Sequence, residues 1–432
     1  MITATNKNDK IVSPELNKRL INVFFCFVTL LVLLNIFTPL RLNVDAIRYL
    51  NILQYLEGLA GKNSVAAHDF LPHGYPWLLF LLDKLHLLNP ASITLINILS
   101  VLLACWVLSK LFPVPNKLLF FSLGMLSFIN IKHFTLPLAD QLFVLLFITA
   151  IYLWTEFFNG KRYYILPCLL LTALSIFVRT AGIALVPAVI FYIIYRYRKE
   201  LVAHKSMLYA GIILLCAGII VFFAKLSFLE TKVDYLNQLK LMAMIGEPYS
   251  ILERFSMHFK EIGEAILNIP YSKLTGIIKV GSFDTAEYLL IIIGILAVYI
   301  FIRAIIRLKL YDQYIFWAFL SYLVMIFLWP FYDTRFLLPV VPLLIYLFFT
   351  YLIRFVNDKR VKIVSFVVYV LLGMVSLLYS DALSLNRNFF LNHYGFDGQL
   401  TNEYRTYYNN RGSASYNIDT NNVQFLLEKY NR

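Results

Sequence analysis

Long apolar runs constrain this chain more than any other feature of its sequence. Hydrophobic residues make up 60% of its 432 residues and the mean hydropathy is +0.71, more apolar surface than one soluble core can hide. A helix that crosses a bilayer needs about 20 mainly apolar residues. The sequence therefore predicts an all-α polytopic membrane protein, threaded repeatedly through a bilayer.

Eleven apolar runs have the length, or nearly the length, of a membrane span. They lie near residues 20–40, 93–112, 117–132, 137–158, 163–179, 181–196, 207–228, 286–308, 313–330, 335–354 and 361–380. About eleven transmembrane helices are therefore expected within a single membrane domain that covers residues 20–380.

Lysine and arginine are unevenly distributed between the connecting segments. Half of the 38 Lys and Arg residues fall in the short segments 1–19, 110–117, 159–162, 196–206, 303–312 and 354–362. Because basic loops face the cytoplasm, the N-terminal tail is predicted to be cytoplasmic. Three long segments then lie outside: 41–92, 229–285 and the C-terminal tail 381–432. This bias and anionic lipids explain the net charge of +13 without a nucleic-acid partner.

The first outer segment contains two groups of candidate functional residues. Helical spacing places Asp45, Arg48 and Tyr49 on one face of a helix that lies in the membrane interface. A motif from His68 to Trp77 follows, in which two prolines and a glycine break any helix and the aromatic residues suit the headgroup region. By contrast, Glu57 is expected to be solvated.

The second outer segment has the spacing of amphipathic helices, with apolar residues such as Phe259 and Ile262 at helical intervals. Glu261 and Glu264 are accordingly expected on a face that contacts water.

Three further charges lie at the predicted outer ends of spans. Asp140 is either a functional group at the membrane edge or a first-turn charge favoured by the helix dipole. Arg179 and Arg335 each have the simpler interpretation of reaching lipid headgroups. Together, on the side of the acidic loop, the two arginines could hold a phosphate or diphosphate.

A divalent cation is a possible cofactor. His68 and His73 are near the acidic residues Asp45, Asp69 and Asp140 in the predicted topology, and carboxylates with a histidine suit such an ion. Isolated histidines in a polar loop are more often surface residues, so no metal ligand is assigned.

In combination, these motifs resemble the membrane glycosyltransferases of the GT-C fold, and most of all the protein O-mannosyltransferase and aminoarabinose–lipid A transferase branch. The matching positions are Asp45, Arg48 and Tyr49; Pro72 to Pro76; Pro137, Asp140, Leu142 and Phe143; Arg179 and Gly182; and Arg335 to Pro339. The chain departs from the family at Ala46, where a second acid is common, and Asp69 is the nearest equivalent of the acid before the proline motif.

The resemblance implies transfer of a sugar from a polyprenyl-phosphate donor to a glycan, lipid or protein acceptor, at the outer face of a bacterial inner membrane. Asp45 would be the general base and Asp140 would orient a substrate. The leaving phosphate would be neutralised by Arg179 and Arg335. The other substrate-binding candidates are Arg48, Tyr49, Asp69, His73 and Tyr75.

Other functions remain compatible with the sequence. A transporter or flippase would also have many spans, although the chain lacks the inverted repeats typical of that class. A polymerase of lipid-linked polysaccharide units would share the large outer loops. A non-catalytic assembly or sensory protein would leave the common outer position of the four charged candidates without an explanation.

Overall fold

The fold is helical throughout the part of the chain that the computed structural model describes. The described residues are 16–62, 64–69, 71–112, 114–198, 200, 250–275, 285–329, 331–349, 359–394, 399–409 and 422–431. The structure is 83% helical and has no strand within these ranges, which confirms the all-α class. The predicted span 207–228 lies outside the described residues, as does much of the outer segment 229–285.

The helices are numbered here in chain order. They are α1 (Leu16–Leu34), α2 (Val44–Leu56), α3 (Gly74–Lys84), α4 (Pro90–Leu111), α5 (Lys117–Met125), α6 (Phe128–Phe134), α7 (Asp140–Phe158), α8 (Ile165–Val178), α9 (Leu185–Arg196), α10 (Ile251–Leu267), α11 (Tyr271–Leu274), α12 (Thr285–Leu308), α13 (Tyr314–Leu328), α14 (Val341–Leu347), α15 (Lys359–Leu385), α16 (Arg387–His393), α17 (Gln399–Asn409) and α18 (Asn422–Tyr430). Turns of 3-10 helix occur at Asn35–Phe37, Val65–His68, Arg162–Tyr164, Thr180–Ala184, Leu310–Asp312 and Thr334–Leu337.

Five of these helical segments are long and apolar enough to cross a membrane. They are Lys18–Phe37, Pro90–Leu111, Asp140–Phe158, Thr285–Leu308 and Arg360–Leu385. The helices α8, α9 and α13 are apolar but shorter. The protein is therefore an integral, polytopic membrane protein, while the total of eleven spans and their orientation stay predictions.

The predicted span 117–132 consists of two short helices and not of one continuous helix. The helix α5 ends at Met125 and α6 begins at Phe128. The side chain of Asn268, which follows α10, accepts a hydrogen bond from the Phe128 amide at 2.7 Å and donates one to the Leu126 carbonyl at 2.9 Å. Because this side chain satisfies the freed backbone groups, the break is tolerated in an apolar environment.

The first outer segment contains α2 where helical spacing predicts a helix, and a second helix, α3, that begins inside the proline motif. The expectation that this motif breaks any helix is wrong, because Gly74 and Pro76 lie in the first turn of α3, where proline is tolerated.

Asn43 caps α2 by accepting a hydrogen bond from the Ala46 amide at 2.8 Å, which fixes where the helix begins. The helices α2 and α3 pack against each other, with the rings of Tyr49 and Tyr75 edge-to-face at 5.3 Å. Asp45 consequently lies in the first turn of a helix with a fixed start.

A buried polar network joins α1 to α15 below this segment. The Arg41 guanidinium donates to the Ser380 carbonyl at 2.9 Å and to the Ser384 hydroxyl at 2.7 Å, and Asn35 donates to Asp381 at 2.7 Å. The first and last spans are therefore joined by hydrogen bonds at the end from which α2 departs.

The C-terminal tail folds back onto the start of the first outer segment. The buried hydroxyl of Tyr404 in α17 donates to the Leu40 carbonyl at 2.6 Å and accepts from the Leu42 amide at 3.0 Å. The described part of the tail is therefore a small helical cap on the segment that precedes α2.

Glu57 belongs to this contact, and the expectation that it is solvated is wrong. Its side chain is only 5% exposed, forms an ion pair with Lys429 in α18, and accepts a hydrogen bond from Tyr430 at 3.2 Å. The sequence could not indicate this pairing, since the partners are more than 370 positions apart.

The helices α10 and α12 cross in direct backbone contact. A Cβ atom at Gly263 would lie 2.0 Å from the Leu290 carbonyl oxygen, and one at Gly294 would lie 1.9 Å from that of Phe259. Small residues permit this close approach, as they do in many membrane helix pairs.

We expect Gly263→Val to destabilise the folded protein by about 1–3 kcal/mol, because the added carbons must push the two helices apart. The measurement is the midpoint of thermal unfolding in detergent. Gly61→Val is the matched control, since a Cβ at Gly61 meets no atom within 4 Å. Equal midpoints for the two variants would contradict the close crossing.

Candidate functional site

Arg48 connects two carboxylates of the first outer segment. Its Nε and Nη2 donate to the two oxygens of Asp69 at 2.8 and 2.6 Å, and its Nη1 lies 3.5 Å from Asp45 Oδ1. A two-point pair of this kind is directional and strong. The loop that carries Asp69 is thereby fixed against the first turn and a half of α2.

Arg335 approaches the same Asp45 from the other half of the chain. Its Nη2 lies 2.6 Å from Asp45 Oδ2, and its Nε lies 2.8 Å from Asp333 Oδ2. Burial alone would raise the pKa of the Asp333 carboxyl, but the Arg335 guanidinium lowers that pKa below its ordinary value. Asp45 therefore has one arginine on each carboxylate oxygen.

Asp140 and Arg179 form a second ion pair beside the first cluster. The Arg179 guanidinium lies over the ring of Phe336 at 5.3 Å, and the Arg335 guanidinium lies over the same ring at 5.4 Å. The two arginines therefore share one aromatic ring as a neighbour. The structure thus brings together the four charges that the sequence places at the outer ends of spans.

The proline motif lies against this site through backbone packing. A Cβ atom at Gly74 would be 2.6 Å from the Phe177 carbonyl oxygen, so the N-terminus of α3 touches the last turn of α8, two residues before Arg179. The next residue, Tyr75, is buried. His73 is half-buried, and burial lowers the pKa of its imidazole.

The two histidines considered as metal ligands are not part of a ligand set. His68 is exposed, and the ranges described by the structure contain no group of three or more His, Cys, Asp or Glu side chains with the proximity to hold an ion. Asp45 and Asp69 instead have Arg48 as a partner.

Two buried residues of α10 pair with each other and hold a loop next to the site. The prediction that this face of α10 contacts water is therefore wrong. His258 and Glu261 are fully buried, with His258 Nδ1 2.7 Å from Glu261 Oε2. Glu261 Oε1 accepts from the Asp333 amide at 2.6 Å, and His258 Nε2 donates to the Trp329 carbonyl at 2.8 Å. The pair therefore fixes both ends of the loop that leads to Arg335.

Glu264 lies on the same buried face, one turn further along α10. It accepts a hydrogen bond from the Tyr271 amide, and burial raises the pKa of its carboxyl to about 7. The sequence pattern fails here because the apolar stripe predicted to be buried is partly exposed, with Leu252 at 82%. The carboxylates take the inner face, where they bind backbone amides.

We expect Glu261→Leu to destabilise the protein by about 3–5 kcal/mol, because it leaves a buried amide and His258 without their partner. Glu261→Gln retains an acceptor for the Asp333 amide and should cost less. Thermal unfolding in detergent measures both, with Glu428→Leu, an exposed glutamate of α18, as control. A wild-type midpoint for Glu261→Leu would exclude this role.

Lys132 is a residue of the site that the sequence argument overlooked. It lies in α6, where it is exposed although residues 122–131 and 133–141 are all buried. Its helix packs against the turn Thr334–Leu337, which contains Arg335, and this contact places Lys132 beside the Arg335 cluster. A lysine at the end of an apolar run was the available signal, since ionisable groups at such positions are functional candidates.

Comparison with known proteins finds a likeness in structure. No known protein family matches the sequence, and no curated protein is significantly similar to it. Among solved structures, the chain is similar to the apo crystal structure of ArnT from Cupriavidus metallidurans, with 14% identity and a TM-score of 0.46 over 91% of this chain and 68% of ArnT.

Proposed function

We propose that this protein is an integral membrane glycosyltransferase that moves a sugar from a polyprenyl-phosphate donor to a glycan, lipid or protein acceptor. The observation that carries the proposal is the shared placement of Asp45, Asp140, Arg179 and Arg335, which form two ion pairs around one aromatic ring. Such a cluster combines a carboxylate for proton transfer with cations that favour a phosphate.

Asp45 is the proposed general base. Arg48 contacts its Oδ1 and Arg335 contacts its Oδ2, so the carboxylate is held in one orientation by two separate parts of the chain. Each ionised carboxylate oxygen accepts more than one hydrogen bond, which leaves lone pairs for the acceptor's hydroxyl or amine. In this arrangement the arginines orient the base and do not occupy all its acceptor positions.

The proposed reaction is a single displacement at the anomeric carbon of the sugar. The acceptor's oxygen or nitrogen forms a bond to that carbon while the bond from the carbon to the phosphate oxygen breaks. The phosphate keeps the electron pair, and the acceptor's proton passes to Asp45. The products are the glycosylated acceptor and a polyprenyl phosphate with one more negative charge than the donor.

The other site residues have positioning roles in this proposal. Asp140, paired with Arg179, orients a substrate at the membrane edge. Arg48 and Asp69 fix the loop of the first outer segment, and Tyr49, His73 and Tyr75 form its aromatic wall. The basic segments predict that this end of the helices faces outside a bacterial inner membrane, with the N-terminus in the cytoplasm.

A transporter of lipid-linked sugars is the principal alternative. Transporters usually bind their substrates near the bilayer midplane between broken helices. In this chain the charged cluster is built from the first turns of α2 and α7 and from the segment just before α14. Helix ends suit chemistry at an interface better than passage across it.

We expect purified protein in liposomes to release polyprenyl phosphate and to glycosylate an acceptor when supplied with a polyprenyl-phosphate sugar. Asp45→Asn should lower this rate by about 10²–10⁴-fold with normal expression and membrane insertion, because the base is lost while the shape is kept. Asp312→Asn is the control, since Asp312 lies in the turn between α12 and α13 and binds Tyr195.

Two results would contradict the proposal. A wild-type transfer rate in Asp45→Asn would remove Asp45 from the chemistry. Movement of the donor between leaflets without any sugar transfer would favour the flippase alternative. Mass spectrometry of surface glycans and glycolipids in a deletion strain would identify sugar and acceptor together, as one missing modification.

A further inference from the structure

The arginines of the candidate site are already engaged by carboxylates. Arg48 pairs with Asp69, Arg179 pairs with Asp140, and Arg335 pairs with Asp333. Asp45 also contacts Arg48 and Arg335. A phosphate that enters the site would therefore share each guanidinium with a carboxylate.

Lys132 is in a different situation. It forms no hydrogen bond or ion pair with any other residue that the structure describes. It remains close enough to Asp333 to affect that carboxyl electrostatically, and its helix α6 packs against the turn Thr334–Leu337 that contains Arg335. Its ammonium group is thus a cation beside the cluster that is available to a ligand.

The helix that carries Lys132 is packed among apolar helices. Its neighbours Ile131 and Phe134 are buried, and α6 contacts the apolar helices α4, α7 and α15. A charge–charge contact is stronger against such a low-dielectric wall than in open water. A lysine ammonium is a compact cation with three donors that binds phosphate as a point charge.

We propose that Lys132 binds the phosphate of the lipid, and that it acts mainly on the charge which that phosphate gains when the sugar leaves. This inference rests on the proposed glycosyl transfer. In that reaction a phosphodiester with one negative charge becomes a phosphomonoester with up to two. A nearby cation therefore stabilises the product, and the transition state that leads to it, more than the bound donor.

The first test measures binding of polyprenyl monophosphate to purified protein, with uncharged polyprenol as the reference lipid. Lys132→Ala should weaken binding of the monophosphate by about tenfold or more, because a hydrogen bond between charged groups is lost. Lys132→Arg should retain most of the affinity, and binding of polyprenol should not change. Lys110→Ala, an exposed lysine at the other end of the neighbouring α4, is the control.

The second test separates this role from a structural one by kinetics. If Lys132 acts on the developing charge, Lys132→Ala lowers kcat for sugar transfer more than it raises KM, and Lys132→Arg restores part of kcat. A merely structural defect would alter polyprenol binding and thermal stability together with the rate.

The outcomes distinguish this inference from the proposed function. If Lys132→Ala binds polyprenyl monophosphate as tightly as wild type, the role of Lys132 is wrong even where wild-type transfer is observed. The same conclusion follows if the variant loses polyprenol and monophosphate binding equally. If wild type transfers no sugar and binds monophosphate no better than polyprenol, the proposed function fails, and this inference fails with it.

Discussion

The contact of Asp45 with Arg48 and Arg335 is the interaction on which the arrangement of the site depends. It joins α2, which leaves the first span, to the turn before α14, nearly 290 positions later in the chain. The same arginines also bind Asp69 and Asp333, respectively. Asp45 therefore links two loops, and each of these loops has a carboxylate of its own that binds the same arginine. The packed helices bring these ends together, and the charge pairs then fix the loops at the site relative to one another.

Hydrogen bonds between side chains and backbone groups support that arrangement. Glu261 holds the amide of Asp333, and Asn268 satisfies the backbone at the break between α5 and α6. Both side chains belong to the segment around α10, which is amphipathic and not one of the apolar spans. A polar segment thus supplies hydrogen-bonding partners to backbone that is not helical, a need that lipid cannot meet.

Much of the fold and part of the site follow from the sequence. Apolar run length predicts the long spans, such as α4 and α12, since a bilayer requires a fixed helix length. The placement of Asp45, Asp140, Arg179 and Arg335 at helix ends also follows, because span boundaries are visible in composition. The partners of these four charges cannot be predicted from the sequence, since pairing depends on which helix ends are adjacent in space.

The wrong predictions for α10 and Glu57 have the same physical cause, since burial depends on which parts of the chain are adjacent in space. Periodicity locates the apolar face of α10 but cannot show that its second half is buried on the polar face as well, where Glu261 and Glu264 bind backbone amides. Glu57 shows the same limit, since it is expected to be solvated and is covered by the tail.

The contact of the C-terminal tail with the first outer segment has a consequence for the order of assembly. Leu40 and Leu42 exchange hydrogen bonds with Tyr404, and Glu57 pairs with Lys429, three residues from the end of the chain. Chains emerge from the ribosome at about 5–20 residues per second, N-terminus first. The segment that leads into the helix with Asp45 is thus made early, but the neighbours that the tail provides arrive only after the spans between them, α4 to α15, have been made. The contact therefore joins two parts of the protein that are synthesised at widely separated times.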